Sequence, residues 1–259
     1  IYNSTVQLYG SMSPDPSDWS RIGSGFLYTH ASQTYLITAD HVIRGQQQVK
    51  YSITSRTGPT YQTHESPILP LERLIRQPQR DIAIWNITSN ILPGSKAFLE
   101  GETLNKQAME AANINIGSDI AFLGFPGILK NKTLRTGTIA EIQDFFEGNS
   151  SQFVLDASVS PGFSGGPVLA QDNDRFKLIG MVTDSLYLSK QAIGRWVELT
   201  IQEFPRLTTA VSFDAISQII ETPPSSGNMK LTPTSAASAS PPLQSADVSL
   251  TAPSDRIFD

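Results

Sequence analysis

Residues 161–167 read Pro161-Gly162-Phe163-Ser164-Gly165-Gly166-Pro167. A serine set among glycines sits where the chain turns tightly, because glycine lacks the Cβ that bars left-handed backbone conformations. Such a serine has two readings. One is an exposed residue of a Gly-rich turn. The other is the nucleophile of acyl transfer, which needs a base within hydrogen-bond reach and backbone N–H groups aimed at the developing oxyanion, here those of Gly162 and Ser164. The residues upstream decide between them.

The chain has three histidines, His30, His41 and His64, and all precede Ser164. His41 follows the apolar run Tyr35-Leu36-Ile37-Thr38-Ala39, which places it at the mouth of a buried strand, where packing holds the ring. His30 and His64 sit among polar turn residues and read as solvated. A histidine at a strand end, in a chain with a Gly-rich serine, points to a general base. The acid that orients such a base belongs on a strand edge, buried enough to fix the imidazole tautomer. Asp81, in Arg80-Asp81-Ile82-Ala83-Ile84-Trp85, fits. Asp119, in Ser118-Asp119-Ile120-Ala121-Phe122, follows Gly117 and reads more simply as a turn residue. Asp40 adjoins His41, and neighbouring strand residues point to opposite faces.

The order along the chain, His41, Asp81, Ser164, discriminates among hydrolase folds. An α/β-hydrolase needs a histidine after its serine, and none follows Ser164. A subtilisin-like order puts the acid before the base and requires a parallel sheet with helices. The chymotrypsin-like order is His, Asp, Ser.

Residues from about Val6 to Leu207 read as short β-branched and aromatic runs separated by Gly, Pro, Asn and Ser, the pattern of strands and turns. Expected strands are Val6–Tyr9, Ile22–Tyr28, Tyr35–Thr38, Gln48–Ile53, Ile82–Ile87, Ile120–Leu123, Leu134–Ile142, Gln152–Leu155, Pro167–Ala170, Lys177–Thr183 and Trp196–Gln202. Helical periodicity is scarce, so the fold class is all-β, as two packed antiparallel barrels or a sandwich. One short amphipathic helix is expected over Ser212–Glu221, with Phe213, Ile216, Ile219 and Ile220 at helical spacing and Ser212 as its cap. Residues 222–259 are rich in Pro, Ser, Ala and Thr and hold too few large apolar side chains to offset the entropy of ordering. They read as a disordered tail or linker.

Composition narrows the function. The 259 residues are 39% hydrophobic and 17% charged, with no apolar run long enough for a membrane helix. A net charge of −5 speaks against nucleic acid or anionic lipid as partner. The absence of cysteine removes disulfide frameworks, thiolate catalysis and cysteine zinc sites, and leaves the compartment open. The chain begins at Ile1, which reads as a processed product or an excerpt of something longer.

The assembled pieces resemble the trypsin clan, in particular its cysteine-free, HtrA-like branch. They are Gly23-Ser24-Gly25-Phe26, Leu36-Ile37-Thr38-Ala39-Asp40-His41-Val42-Ile43, Arg80-Asp81-Ile82-Ala83-Ile84, Gly124-Phe125-Pro126-Gly127, Thr136-Gly137-Thr138-Ile139, Asp156–Pro167 and Leu178-Ile179-Gly180-Met181. The resemblance implies a protease domain over residues 1–221. It would consist of two six-stranded antiparallel β-barrels, roughly 1–110 and 111–221, with a triad in the cleft between them. It implies His41 as general base, Asp81 as orienting acid, Ser164 as nucleophile, and Gly162 with Ser164 as the oxyanion hole. It also places Ser158 at the floor of the primary substrate pocket and Thr183, Asp184 and Ser185 along its wall. Asp184 reads either as a lure for a basic side chain or as a solvated strand-end charge. Two residues depart from the family pattern: Asp40 stands where a small residue is usual, and Phe163 where a polar one is.

The expected function is a serine endopeptidase acting on protein or peptide substrates through an acyl-enzyme, with no cofactor or metal. Two other readings are a non-catalytic binding module on the same fold, and a self-processing domain of a larger protein. Substrate preference and oligomeric state are not legible.

Overall fold

The computed structural model describes residues 2–15, 18–57, 60–127, 129, 131–185, 188–193, 198–203 and 206–222. The chain divides into two units, residues 1–223 and 224–259. The segment read as a disordered tail lies, from residue 223 on, outside the described residues.

The first half of the larger unit contains β1 (Thr5–Ser11), β2 (Ser20–His30), β3 (Gln33–Thr38), a one-turn helix α1 (Asp40–Ile43), β4 (Gln48–Thr57), β5 (Thr60–Glu65), β6 (Leu74–Gln77), β7 (Ile82–Asn86) and β8 (Phe98–Leu99). They form an eight-stranded sheet in the order β5-β4-β1-β2-β3-β7-β6, and β8 adds to β2 in parallel. The second half contains α2 (Lys106–Ala111), β9 (Asp119–Gly124), β10 (Thr133–Glu141), α3 (Gln143–Glu147), β11 (Gln152–Asp156), β12 (Pro167–Asp172), β13 (Arg175–Ser185), β14 (Leu188–Ile193), β15 (Glu198–Glu203), β16 (Leu207–Ser212) and α4 (Phe213–Glu221). Six of these strands close a barrel, β10-β11-β16-β13-β12-β9, while β14 and β15 pair only with each other.

The fold class is all-β, as expected, and the second half is the expected six-stranded antiparallel barrel. The first half differs in detail: it has eight strands, and its hydrogen-bonded path does not close. Strands β5, β6, β8, β14 and β16 had not been expected. For the strand expected over Trp196–Gln202, the structure gives Glu198–Glu203, and residues 196 and 197 lie outside the described residues.

Period-two alternation sorts the barrel strands between two cores. Phe122, Val168, Ile179 and Ala210 point into the barrel and join Phe153, Leu155 and Ile139 there. Their chain neighbours Leu123, Leu169, Leu178 and Val211 point out and pack with the first sheet. Where these four residues lie, the outer face of the barrel is thus not a solvent face but half of a second core. Helix α4 completes that core: Phe213, Ile216, Ile219 and Ile220 are all buried, and the Phe213 ring meets Tyr28 of β2 edge-on at 4.9 Å. Ser212 caps the helix with its hydroxyl, accepting from the Ala215 N–H. The two halves therefore share one apolar interface, along which the polar groups of the site are arranged.

Candidate active site

His41 stands in α1, directly after the buried end of β3, and Asp81 stands one residue before β7. Strands β3 and β7 are hydrogen-bonded neighbours, with Thr38 opposite Ala83, so the two side chains start from adjacent strand ends. Asp81 adopts a left-handed backbone, φ +56° and ψ +44°, a conformation that aspartate tolerates better than most residues. This turns its carboxylate onto α1. One oxygen accepts the His41 backbone N–H at 2.8 Å, and the other lies 2.7 Å from the ring Nδ1. The Asp81 carbonyl in turn accepts the Asp40 N–H at 3.1 Å. With Nδ1 engaged by a carboxylate, Nδ1 carries the proton and Nε2 is left as a free acceptor. His30 lies elsewhere, 3.0 Å from Glu100, and His64 is on β5. Asp119 is an exposed first residue of β9.

The residue next to His41 is engaged as fully. Asp40 has no solvent exposure, and Arg76 of β6 grips both of its carboxylate oxygens, at 2.5 and 3.0 Å, with Arg44 adding a contact at 3.3 Å. A buried carboxylate needs such partners, because stripping its water is otherwise strongly unfavourable. The sequence singled out Asp40 as a departure and gave it no role. In the folded chain it anchors the helix that carries His41 to the strand beside Asp81.

Ser164 is brought up from the barrel side. Its turn is sewn to the first sheet by Ser24 of β2, a fully buried residue. The Ser24 N–H donates to the Ser164 carbonyl at 3.0 Å. The Ser24 hydroxyl donates to the Gly162 carbonyl at 2.6 Å and accepts the Phe125 N–H at 2.8 Å, and the Ser24 carbonyl accepts from the Thr38 hydroxyl at 2.7 Å. The turn has no room for side chains: at Gly165, φ +84°, a Cβ would stand 2.1 Å from the Ser24 carbonyl oxygen. At Gly23 a Cβ would meet Val42 at 2.8 Å and the Ser164 carbonyl oxygen at 3.3 Å. Helix α1 and the Ser164 turn thus converge on the bare backbone of Gly23. The Ser164 hydroxyl and the His41 ring make no hydrogen bond to each other here.

The backbone donors expected around an oxyanion are present and unpaired. Neither the Gly162 N–H nor the Ser164 N–H meets an acceptor among the described residues, whereas Gly165 and Gly166 donate to Val182 and Phe163. The Pro161 carbonyl is held by the Gly127 N–H at 2.8 Å, and in a planar trans peptide this turns the Gly162 N–H the opposite way. Phe163, the other departure, is fully buried against Phe122, edge-on at 5.3 Å. An apolar side chain at that position anchors the turn in the barrel core.

Beside His41 lies a cavity of about 610 Å³ whose lining includes Asp81, Arg44, Gln152, Thr183, Asp184 and Thr209. Of the residues expected to contact substrate, Thr183 and Asp184 face this cavity. Ser158 is exposed after β11, and Ser185 closes β13 opposite Thr208; neither lines it. The hydrogen bond that Asp81 accepts raises the His41 pKa above its ordinary value of 6.5, and the charges of Asp81 and Asp184 act in the same sense. Burial and Arg44 oppose them.

Two substitutions test this scaffold. Ser24→Ala leaves a carbonyl and an N–H without their partner and is expected to destabilise the fold by about 1–3 kcal/mol in equilibrium denaturation. Arg76→Met strands the buried Asp40 carboxylate; because Arg76 is itself about one-third exposed, we expect about 3 kcal/mol, the low end for a broken buried pair. Losses under 0.5 kcal/mol would contradict either role.

Residues 23–181 match the family model of the trypsin-like peptidase domain. The serine protease Do-like HtrA of Bacillus subtilis (strain 168) is 27% identical over 186 residues, which cover 69% of this chain and 37% of that protein. The chain therefore spans little more than a third of the length of this curated relative. Among solved structures, the HtrA-type protease AlgW, solved with a tripeptide, aligns over 85% of this chain and 60% of its own, at 20% identity and a TM-score of 0.54. A serine endoprotease from Yersinia pestis aligns over 85% and 62%, at 18% identity and a TM-score of 0.53. These two likenesses speak to the fold. The match over residues 23–181, more than half of the chain, places it in the trypsin-like peptidase domain family.

Proposed function

We propose that the chain is a serine endopeptidase in which Ser164 is the nucleophile, His41 the general base and Asp81 its orienting acid. The observation that carries this reading is the Asp81 carboxylate spanning both the backbone N–H and Nδ1 of His41, which leaves Nε2 unprotonated and free to take a proton. His41 accepts the Ser164 proton as the oxygen attacks a peptide carbonyl. The carbonyl oxygen becomes an oxyanion between the N–H groups of Gly162 and Ser164. Protonated His41, stabilised by Asp81, then gives its proton to the leaving amine, and water releases the acyl group by the same steps in reverse order. Thr183 and Asp184 flank the substrate chain next to His41. The unpaired state of both N–H groups fits this role, since a preorganised oxyanion site has its donors vacant before substrate arrives.

Ser164→Ala is expected to lower kcat by about a million-fold on an unstructured protein substrate, because residues that act as a unit are lost together. Undiminished hydrolysis in the purified variant would reject the assignment. A folded wild-type protein with no turnover would favour the binding-module reading.

The pH dependence follows from the sign of the His41 shift. The base must be neutral to work, so kcat/KM rises with pH as His41 loses its proton, and the raised pKa puts the midpoint of this limb above 6.5. Asp184→Asn removes one of the charges that favour the imidazolium and moves the midpoint down. A wild-type midpoint at or below 6.5, or one unmoved by Asp184→Asn, would contradict the electrostatic account.

A further inference from the structure

A second cavity, of about 400 Å³, lies next to the one beside His41, and its lining includes Arg80, Lys106, Ser150, Ser151, Asp214 and Gln218. Neighbouring residues of the chain border the two: Arg80 and Ser151 line the second, and Asp81 and Gln152 line the first. Residues 78–81 on one side and 149–152 on the other therefore contribute to both cavities.

The second cavity carries two cations that form no salt bridge among the described residues. Arg80 donates to the neutral Gln218 side chain at 3.1 Å, and among the described residues neither Arg80 nor Lys106 has an acidic oxygen within ion-pair distance. The carboxylate facing them is Asp214. It accepts the Lys106 backbone N–H at 2.8 Å, and burial pushes its pKa up, against its own charge. Arg80 and Lys106 thus face one lining carboxylate, Asp214, whose pKa burial and the charge of Glu221 push up and the charge of Lys106 pushes down, in a chain whose net charge is −5. The opposite wall is built, not loose. Gly148 caps α3 in a left-handed turn, and the N–H groups of Asn149 and Ser150 both close on the Asp144 carbonyl. The Ser150 hydroxyl accepts the Gln152 N–H and retains its own proton to donate.

We propose that the cleft between Arg80 and Lys106 is a subsite for an acidic side chain of the substrate, several residues from the scissile bond. The proposal rests on the peptidase reading and names the substrate class it favours. An extended chain advances about 3.3 Å per residue, so a peptide running from the cavity beside His41 over residues 80–81 and 151–152 would carry side chains towards the two cations. A carboxylate there takes charge-assisted hydrogen bonds from Arg80, Lys106 and Ser150.

The test is a set of peptides of one cleavable sequence, with Glu or Gln scanned through the positions flanking the cut. One position is expected at which Glu raises kcat/KM over Gln by about three- to tenfold, mainly through KM, as for a partly exposed charge pair. The advantage should shrink in high salt, in Lys106→Gln and in Arg80→Gln, while the Gln peptide is cleaved equally by wild type and Lys106→Gln. Cleavage with no Glu preference at any position overturns the subsite and leaves the peptidase reading standing. Absence of cleavage of every peptide overturns the peptidase reading instead. In that event, anisotropy of the labelled Glu and Gln peptides on the Ser164→Ala protein still decides the subsite, and equal affinities overturn it.

Discussion

A single buried serine ties the Ser164 turn to the half of the molecule that holds His41. Ser24 lies in the middle of β2, paired with Gln7 of β1, yet its polar atoms face across the interface to Phe125, Gly162 and Ser164. Each of these groups is backbone, so the contact specifies where the Ser164 turn sits without depending on the side chains of the turn. The glycines follow from this. With the turn pressed against Ser24 and Thr38, position 165 has no space for a Cβ, and at position 166 the carbonyls of Leu123 and Phe163 leave none. The close approach in turn needs the apolar interface around it, to which β9, β12, β13, β16 and α4 contribute Leu, Val and Ile.

His41 and Asp81 are held independently of this contact. Asp81, Asp40, Arg76 and His41 all belong to the first half, and the bonds among them run through adjacent strand ends. The buried pair of Asp40 and Arg76 holds the one-turn helix that is too short to be stable by its own hydrogen bonds. The left-handed Asp81 carries strain that this surrounding network compensates. Each half thus presents a finished surface, and the proposed chemistry depends on the meeting of two preformed pieces. Such an arrangement places the imidazole and hydroxyl by packing, not by a bond between them.

Much of this was legible in residues. The three-histidine count and the Gly-rich turn selected His41 and Ser164, and the strand that opens with Ile82 selected Asp81 over Asp119. The strands that were readable carry β-branched and apolar runs; β5, Thr-Tyr-Gln-Thr-His-Glu, and β14, Leu-Ser-Lys-Gln-Ala-Ile, are too polar to announce themselves. Strand β16, Leu-Thr-Thr-Ala-Val-Ser, is short, with threonines in place of a clear apolar run, and it directly precedes α4. The roles of Ser24, Arg76 and the Arg80–Lys106 pair were not legible, because they depend on partners 36 to 138 residues away in the chain. No local pattern encodes a contact of that span. Asp40 shows the limit from the other side: it was noticed as an oddity, and only the position of Arg76 gives it a purpose.

The central claim is that a hydroxyl from the barrel, an imidazole from the sheet and two backbone donors enclose one reacting atom. A crystal structure of the protein inactivated with a peptidyl phosphonate tests this most directly. The account predicts phosphorus bonded to the Ser164 oxygen, one phosphonyl oxygen within hydrogen-bond distance of the Gly162 and Ser164 N–H groups, and His41 Nε2 facing the ester oxygen. Modification at any other residue, or an adduct on Ser164 whose phosphonyl oxygen points away from both donors, would contradict it.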